Sequence, residues 1–380
     1  ADPEQDYFSD GMAEDIITDL SKQTGITVIS RHSSFAYKGK AVNCRDIGSE
    51  LGVDYVLEGS VRKVADKVRI NTQLIDTATD DHVWAERYDR QLHDIFRLQD
   101  DLTQEIVSAL KPNLVGNTRK NANRRVTENV NAHDLYLRAR AQYYLFTPDS
   151  IESALDLARR CIDEDPDFSD AFAMLARVLI FRFITVSYED KCEVLEPALE
   201  AARKAVSIDK QSELAHAILG WTLLYHRNIV EAMEQVDRAL DLGGTMAESH
   251  RCHSLVHSSA GDGETGLSSM ERAIELNPFY TAPDLMAIGI AYFAQECYEL
   301  ALVEFERGIQ LNPGFAFCHI FKISTLGALD RLEEANVAVT VAAESVGGRD
   351  RYRSIVENVS FFNDQALQDL YAEGLARAKD

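Results

Sequence analysis

The feature that most constrains this chain is a stride of short side chains. Ala154, Ala198, Ala232, Gly266, Ala301 and Ala335 recur, and seven residues after each stands a second small residue: Cys161, Ala205, Ala239, Ala273, Gly308 and Ala342. Positions seven apart share one face of an α-helix. Two helices approach closely only where such a face carries short side chains, with larger residues filling the gaps around them. Several of these stretches end alike, in Asp165-Pro166, Asn277-Pro278 and Asn312-Pro313, and Pro278 and Pro313 lie 35 residues apart. A repeat of this length marks stacked supersecondary units that cannot bury their apolar faces alone. The length of 380 residues agrees, because a single core rarely grows beyond about 250–300 residues.

The pattern resembles the tetratricopeptide repeat, a helical hairpin of about 34 residues. Hairpins are expected near 134–168, 169–212, 213–246, 247–280, 281–315 and 316–348. First helices contribute Gly220 with Trp221, and Gly289 with Tyr292. The second hairpin is longer, with its extra length expected around Thr185 to Glu193. An amphipathic helix from Gln365 to Lys379 is expected to cap the open end.

The first part of the chain reads as a small α/β domain. Phe8 to Lys22 is helical in phase, with Met12, Ile16, Ile17 and Leu20 on one side. Ile26 to Ser30 is β-branched and predicts a short strand. Asp46 to Gly52 predicts a helix ended by glycine. A three-strand meander follows over Val53–Val64, Val68–Leu74 and His82–Tyr88, then a helix from Asp94 to Leu110 stopped by Pro112. A sheet of this kind usually starts before the first helix, so a strand is expected upstream of Ala1. The domain reading is therefore 1–115 for the α/β domain, 116–131 for a polar linker, and 132–380 for an all-α repeat array. Arg124-Arg125 in the linker reads as solvated charge.

Charge excludes some functions. The formal net charge is −23, divided as −8, +3 and −18 over those three segments. An acidic body repels phosphate backbones and anionic lipid, so nucleic-acid binding is not expected, and no apolar run approaches the length of about 20 residues that membrane insertion needs. Six cysteines without a CxxC pair read as free thiols, with Cys161, Cys297 and Cys318 on packing faces, which favours a cytoplasmic placement. A periplasmic placement would follow if a membrane helix preceded the chain.

Further stretches carry a second resemblance. Asp2-Pro3-Glu4-Gln5-Asp6-Tyr7-Phe8-Ser9-Asp10-Gly11-Met12, Ser33-Ser34-Phe35-Ala36-Tyr37-Lys38-Gly39-Lys40, the run from Gly52 to Lys63, and Trp84-Ala85-Glu86-Arg87-Tyr88-Asp89 look like bacterial domains similar to the amino-terminal domain of the translocation protein TolB. The resemblance implies a regulatory region lying between an output domain and tetratricopeptide repeats. The output domain is often a class III adenylate/guanylate cyclase, as in rhizobia and relatives, or else a winged-helix DNA-binding domain. Class III cyclases act as dimers, so a homodimer is implied. A stand-alone peptide-binding adaptor is the third reading.

No catalytic constellation is expected, and no cofactor. Gly261-Asp262-Gly263-Glu264-Thr265-Gly266 matches GxGxxG but follows a helix, so it reads as an inter-helix turn. His250, Cys252, His253 and His257 share helical spacing and include metal-ligand chemistry, although no carboxylate partner is fixed by spacing; interior packing is the more ordinary reading. The concave face of the repeats is the expected site for a protein or peptide partner. By helical phase it draws on Arg138, Tyr144, Arg177, Arg182, His216, Tyr225, His250, His257, Tyr292 and His319. In the α/β domain the basic, aromatic loop Arg31 to Lys40, with Arg31, Ser33, Ser34, Phe35, Tyr37 and Lys38, is a candidate anion or partner site, against the alternative that Phe35 and Tyr37 hold it to the sheet.

Overall fold

Apolar residues every fourth position make the first helix, α1 (Pro3–Ser21), bury Phe8, Met12, Ile16 and Leu20. Ile17 lies beside this face and is half-buried. The chain is described from a computed structural model covering residues 3–23, 25–110, 127–185, 192–345 and 347–349, with 352, 356, 369, 372 and 376 beyond them. Most of the expected linker and extra loop, Arg124-Arg125, and the capping helix over 365–379 except 369, 372 and 376, lie outside the described residues. The chain divides into two compact units, Ala1–Ala171 with Leu276–Pro278, and Phe172–Glu275 with Phe279–Asp380.

In the first unit, α2 (Arg31–Phe35) and α3 (Cys44–Leu51) lead to an antiparallel meander of β1 (Tyr55–Val64), β2 (Lys67–Asp76) and β3 (His82–Gln91). The central strand alternates as a half-buried strand must: Val68, Ile70, Thr72 and Leu74 are buried, and the residues between them lie on the other face. Ile70 pairs with Val61 on one side and Tyr88 on the other, and the register slips between Leu74 and Ile75. Asn43 caps α3 by accepting from the Arg45 amide, and Gly52 ends it in the left-handed conformation. Helix α4 (Ile95–Leu110) packs on β3 and α1 through Ile95, Leu98, Leu102 and Ile106. Two expectations need correction. Ile26 to Ser30 is extended but joins no strand of the described sheet, and the Ser30 amide donates instead to the Leu276 carbonyl at 2.7 Å. The loop from Arg31 opens with a helical turn, its first five residues forming α2.

The first hairpin, α5 (Val130–Tyr143) and α6 (Pro148–Glu164), belongs to this unit. Thr147 and Ser150 form a reciprocal capping box with Pro148 at the first turn, an arrangement that satisfies otherwise orphan amides. Helix α5 lies so close to α1 that a Cβ on Gly11 would stand 2.6 Å from the Leu137 methyls.

Five more helix pairs follow: α7 (Ser169–Thr185) with α8 (Cys192–Ile208), α9 (Glu213–Tyr225) with α10 (Ile229–Leu242), α11 (Ala247–Ser259) with α12 (Gly263–Leu276), α13 (Ala282–Ala294) with α14 (Tyr298–Leu311), and α15 (Ala316–Ala328) with α16 (Leu332–Ser345). Small residues sit where helices touch. Ala154, Ala198, Ala232, Ala301 and Ala335 are all fully buried, and so are Cys161, Ala205, Ala239 and Ala342. A Cβ on Gly220 would lie 2.5 Å from the Val236 methyl and 2.9 Å from the Ala232 carbonyl. The corners of four pairs turn through one left-handed residue each, Arg227, Gly261, Glu296 and Asp330. Only one of them is glycine, although other residues adopt this conformation at a cost. Cys297 departs from the expectation of a packing position: it precedes α14 and is exposed, because the corner ends there. The described array is mostly helical, with the small sheet confined to the first unit.

Candidate partner-binding site

Helix phase alone placed ten residues on one recognition face, and the structure distributes them among several tasks. Arg138 and Tyr144 belong to the packing of α1 on α5. Asp134 receives hydrogen bonds from Tyr7 Oη at 2.6 Å and Arg138 Nε at 2.8 Å, and an ion pair from Lys63 at 3.1 Å. Arg138 also covers the Tyr7 ring at 4.4 Å. Tyr144 donates to Glu14 at 3.1 Å. Beside them Arg140, which is 5% exposed, reaches Glu14 at 3.1 Å, Asp15 at 3.2 Å and the Gly11 carbonyl at 3.0 Å. His133 and Gln99 complete the set around Asp15, at 2.9 and 3.0 Å. Burial alone would raise the Asp15 carboxyl, but the Arg140 charge and the His133 hydrogen bond outweigh it and hold it below the ordinary value.

Three of the predicted histidines share a structural task. Each is the fourth residue of a first helix, and its Nε2 lies within hydrogen-bond distance of a carbonyl six residues earlier: His216 to Lys210 at 3.2 Å, His250 to Gly244 at 3.0 Å, and His319 to Pro313 at 2.8 Å. All three are buried. Each clips the loop entering its own helix. Arg177 is also buried and pairs with Glu248 at 2.7 Å. Tyr225 packs edge-on against Phe183 and Trp221. Arg182 and Tyr292 are half-buried.

In the α/β domain the cations of the candidate loop face the acids of α1. Arg31 meets Glu14 at 3.1 Å and is stacked over the rings of Phe35 and Tyr144 at 4.3 and 4.4 Å. Lys38 pairs with Asp10 at 2.5 Å and Asp6 at 3.6 Å. Tyr37 donates to Glu50 at 2.7 Å, Ser34 donates to the Ser30 carbonyl at 2.9 Å, and Ser33 is fully buried.

Sequence phase missed a cleft of about 670 Å³ between α8, α9 and α10. His216 lines it, with Arg203, Lys210, Arg238, Glu231 and Gln235. Arg203 pairs with Glu231 at 2.9 Å, and both remain partly exposed. Lys210 and Arg238 are exposed. A local excess of cations inside an acidic body focuses attraction on anionic ligands. These residues come from different helices, so no local motif announced them.

The histidine cluster resolves into separate parts. His253 and His257 stack at 4.2 Å and face Asp237 of α10, with Nε2 to Oδ1 distances of 3.1 and 2.9 Å. His250 is occupied by its loop carbonyl. Cys252 is buried, and burial pushes its thiol up to about 12. Gly261 to Gly266 forms the turn before and the first residues of α12, where Asp262 accepts from the Thr265 amide at 3.1 Å. Among the described residues no helix is long and apolar enough to cross a membrane.

A family model described as "HilA/YgeH-like transcriptional regulator, second domain" matches residues 3–109. The protein named "Putative adenylate cyclase 3" from Rhizobium meliloti (strain 1021) is 43% identical over 231 residues, 61% of this chain and 39% of that protein. "Transcriptional regulator HilA" from Salmonella typhimurium is 23% identical over 159 residues, 42% of this chain and 29% of that protein. The chain therefore spans well under half the length of these curated relatives. Among solved structures, the thermophilic TPR protein TTC0263 of Thermus thermophilus is 20% identical, covering 50% of this chain and 97% of that one, at a TM-score of 0.39. YrrB, "a TPR protein with an unusual peptide-binding site", is 18% identical, covering 53% and 96%, at 0.33. The chain thus contains a small three-strand sheet and repeated helix pairs at tetratricopeptide spacing, and it is similar over 231 residues to the protein named "Putative adenylate cyclase 3".

Proposed function

We propose that this chain is the non-catalytic regulatory and protein-interaction region of a bacterial class III adenylate/guanylate cyclase. Residues 1–115 serve as its TolB-like domain, 116–131 as a linker and 132–380 as a tetratricopeptide array. The observation that carries the reading is the cleft of Arg203, Lys210 and Arg238, set in an otherwise acidic array of helix pairs. An acidic segment of a protein partner suits it, and partner binding changes how two catalytic domains pair, with this region contributing to a homodimer. The likeness to the Rhizobium protein supports the cyclase assignment.

The test uses the whole protein. Lys210→Glu with Arg238→Glu is expected to abolish capture of an acidic partner and its effect on cyclic-nucleotide production, with the fold intact by circular dichroism. Cyclic-nucleotide synthesis by residues 1–380 alone, given ATP and a divalent metal, would overturn the non-catalytic reading. A second reading is favoured by the match of residues 3–109 to the HilA-like second domain: the effector region of a winged-helix transcription regulator. Promoter binding by the whole protein would select it.

A further inference from the structure

Asp237 and the two stacked histidines form a cluster that the partner-binding reading does not use. Asp237, His253 and His257 come from adjacent helices, and each offers one ligand atom within 4.8 Å of those of the other two. A tetrahedral zinc ion with bonds of about 2.0–2.2 Å holds its ligand atoms a little over about 3 Å apart. Separations of 2.9 and 3.1 Å from the carboxylate oxygen to the two nitrogens need only a small opening to admit such an ion.

The far sides of both rings are also prepared. A histidine that ligates through Nε2 carries its proton on Nδ1 and donates it to a neighbouring acceptor. For His253 that neighbour is Ser269 Oγ, at 2.7 Å. For His257 the Asp262 carboxylate lies 3.8 Å from Nδ1, beyond hydrogen-bond reach but near enough to attract a proton there. Without an ion, both Nε2 protons are committed to Asp237. His257 Nδ1 is then a buried lone pair with no hydrogen-bond partner, turned toward another carboxylate. Such a group is costly to bury. Metal on Nε2 moves the proton to Nδ1 and turns the same contact into an attraction.

We propose that Asp237, His253 and His257 bind a divalent transition-metal ion of the zinc type, with Ser269 and Asp262 orienting the two rings and a coordination position left open. Imidazole with a carboxylate suits zinc and its neighbours better than calcium or magnesium. Cys252 and His250 stay outside the ligand set.

The test titrates the chelator-stripped, tag-free chain with Zn²⁺ and with Co²⁺. One ion per chain is expected, with a cobalt d–d spectrum lacking thiolate charge transfer and a rise in melting temperature on loading. Asp237→Ala removes a side chain that is 53% exposed, so the helix pair keeps its fold, and affinity is expected to fall at least tenfold. His257→Gln should do the same, and Cys252→Ala should leave binding unchanged. Absence of saturable binding, equal affinity in Asp237→Ala, or a thiolate band would each overturn the assignment. In the first case the trio is a hydrogen-bonded clasp between α10 and α11.

Discussion

The packing of α1 on α5 and the packing of α9 on α10 solve the same problem with opposite chemistry. In the first, charged and polar groups meet away from bulk solvent: the buried Arg140 with Glu14 and Asp15, and the half-buried Asp134 with Arg138, Tyr7 and Lys63. In the second, Gly220 lets the backbone of one helix rest against Val236 and Ala232 of the next. An ion network is worth little net stability compared with apolar packing, yet losing one member strands the others in low dielectric. A nest of small residues has no such partner to strand, but it tolerates no added volume. The first arrangement specifies a unique mate; the second can be repeated along a chain.

Arg140→Ala should break the contrast most severely. It leaves the largely shielded Glu14 with only Arg31 and Tyr144, and Asp15 with only His133 and Gln99, at a cost of about 3–5 kcal/mol, read from urea denaturation. The same network predicts an acid limit. A folded pKa held below the ordinary value contributes stability that is fully present above about pH 4 and lost as pH falls through the folded pKa. Asp15 should therefore titrate below its usual 3.8 in the native chain, and Arg140→Ala should lift it, as carboxyl chemical shifts would record. Gly220→Val tests the other side. Added volume against Val236 should cost about 1–3 kcal/mol and leave the acid limit unmoved. A variant that shifted both would show that the two regions are coupled.

Smaller effects sharpen the picture. His319→Ala removes the clip to the Pro313 carbonyl and leaves that acceptor without its donor, costing about 1–2 kcal/mol, with faster amide exchange expected over residues 314–316. Glu296→Gly should do the reverse. The left-handed corner at Glu296 has a φ of 58°, and glycine relieves about 1 kcal/mol of strain there, which a thermal melt of the variant would reveal.

Legibility followed the range of the interactions. The helix pairs could be read because the stride of Ala232, Ala239 and Ala301 is a local signature of close approach. The meander could be read because β2 alternates and its turns are short. Ile26 to Ser30 misled because β-branched residues mark extended backbone, whereas a ladder also needs a partner. Helical phase put His216, His250 and His319 on a binding face, yet it carries no information about the loop carbonyl each one meets. Asp237 was invisible as a partner of His253 and His257, since it stands a helix earlier and one exposed acid among many carries no mark. Arg203, Lys210 and Arg238 converge only in three dimensions.

The recurring loop clips carry one more consequence. His250 and His319 are held below their usual 6.5, chiefly by burial. In the unfolded chain these rings would take up protons that the folded chain refuses. Assembling the helix pairs thus expels protons into the solvent, and the array is most secure where protons are scarce, above about pH 6.5, loosening as they become plentiful.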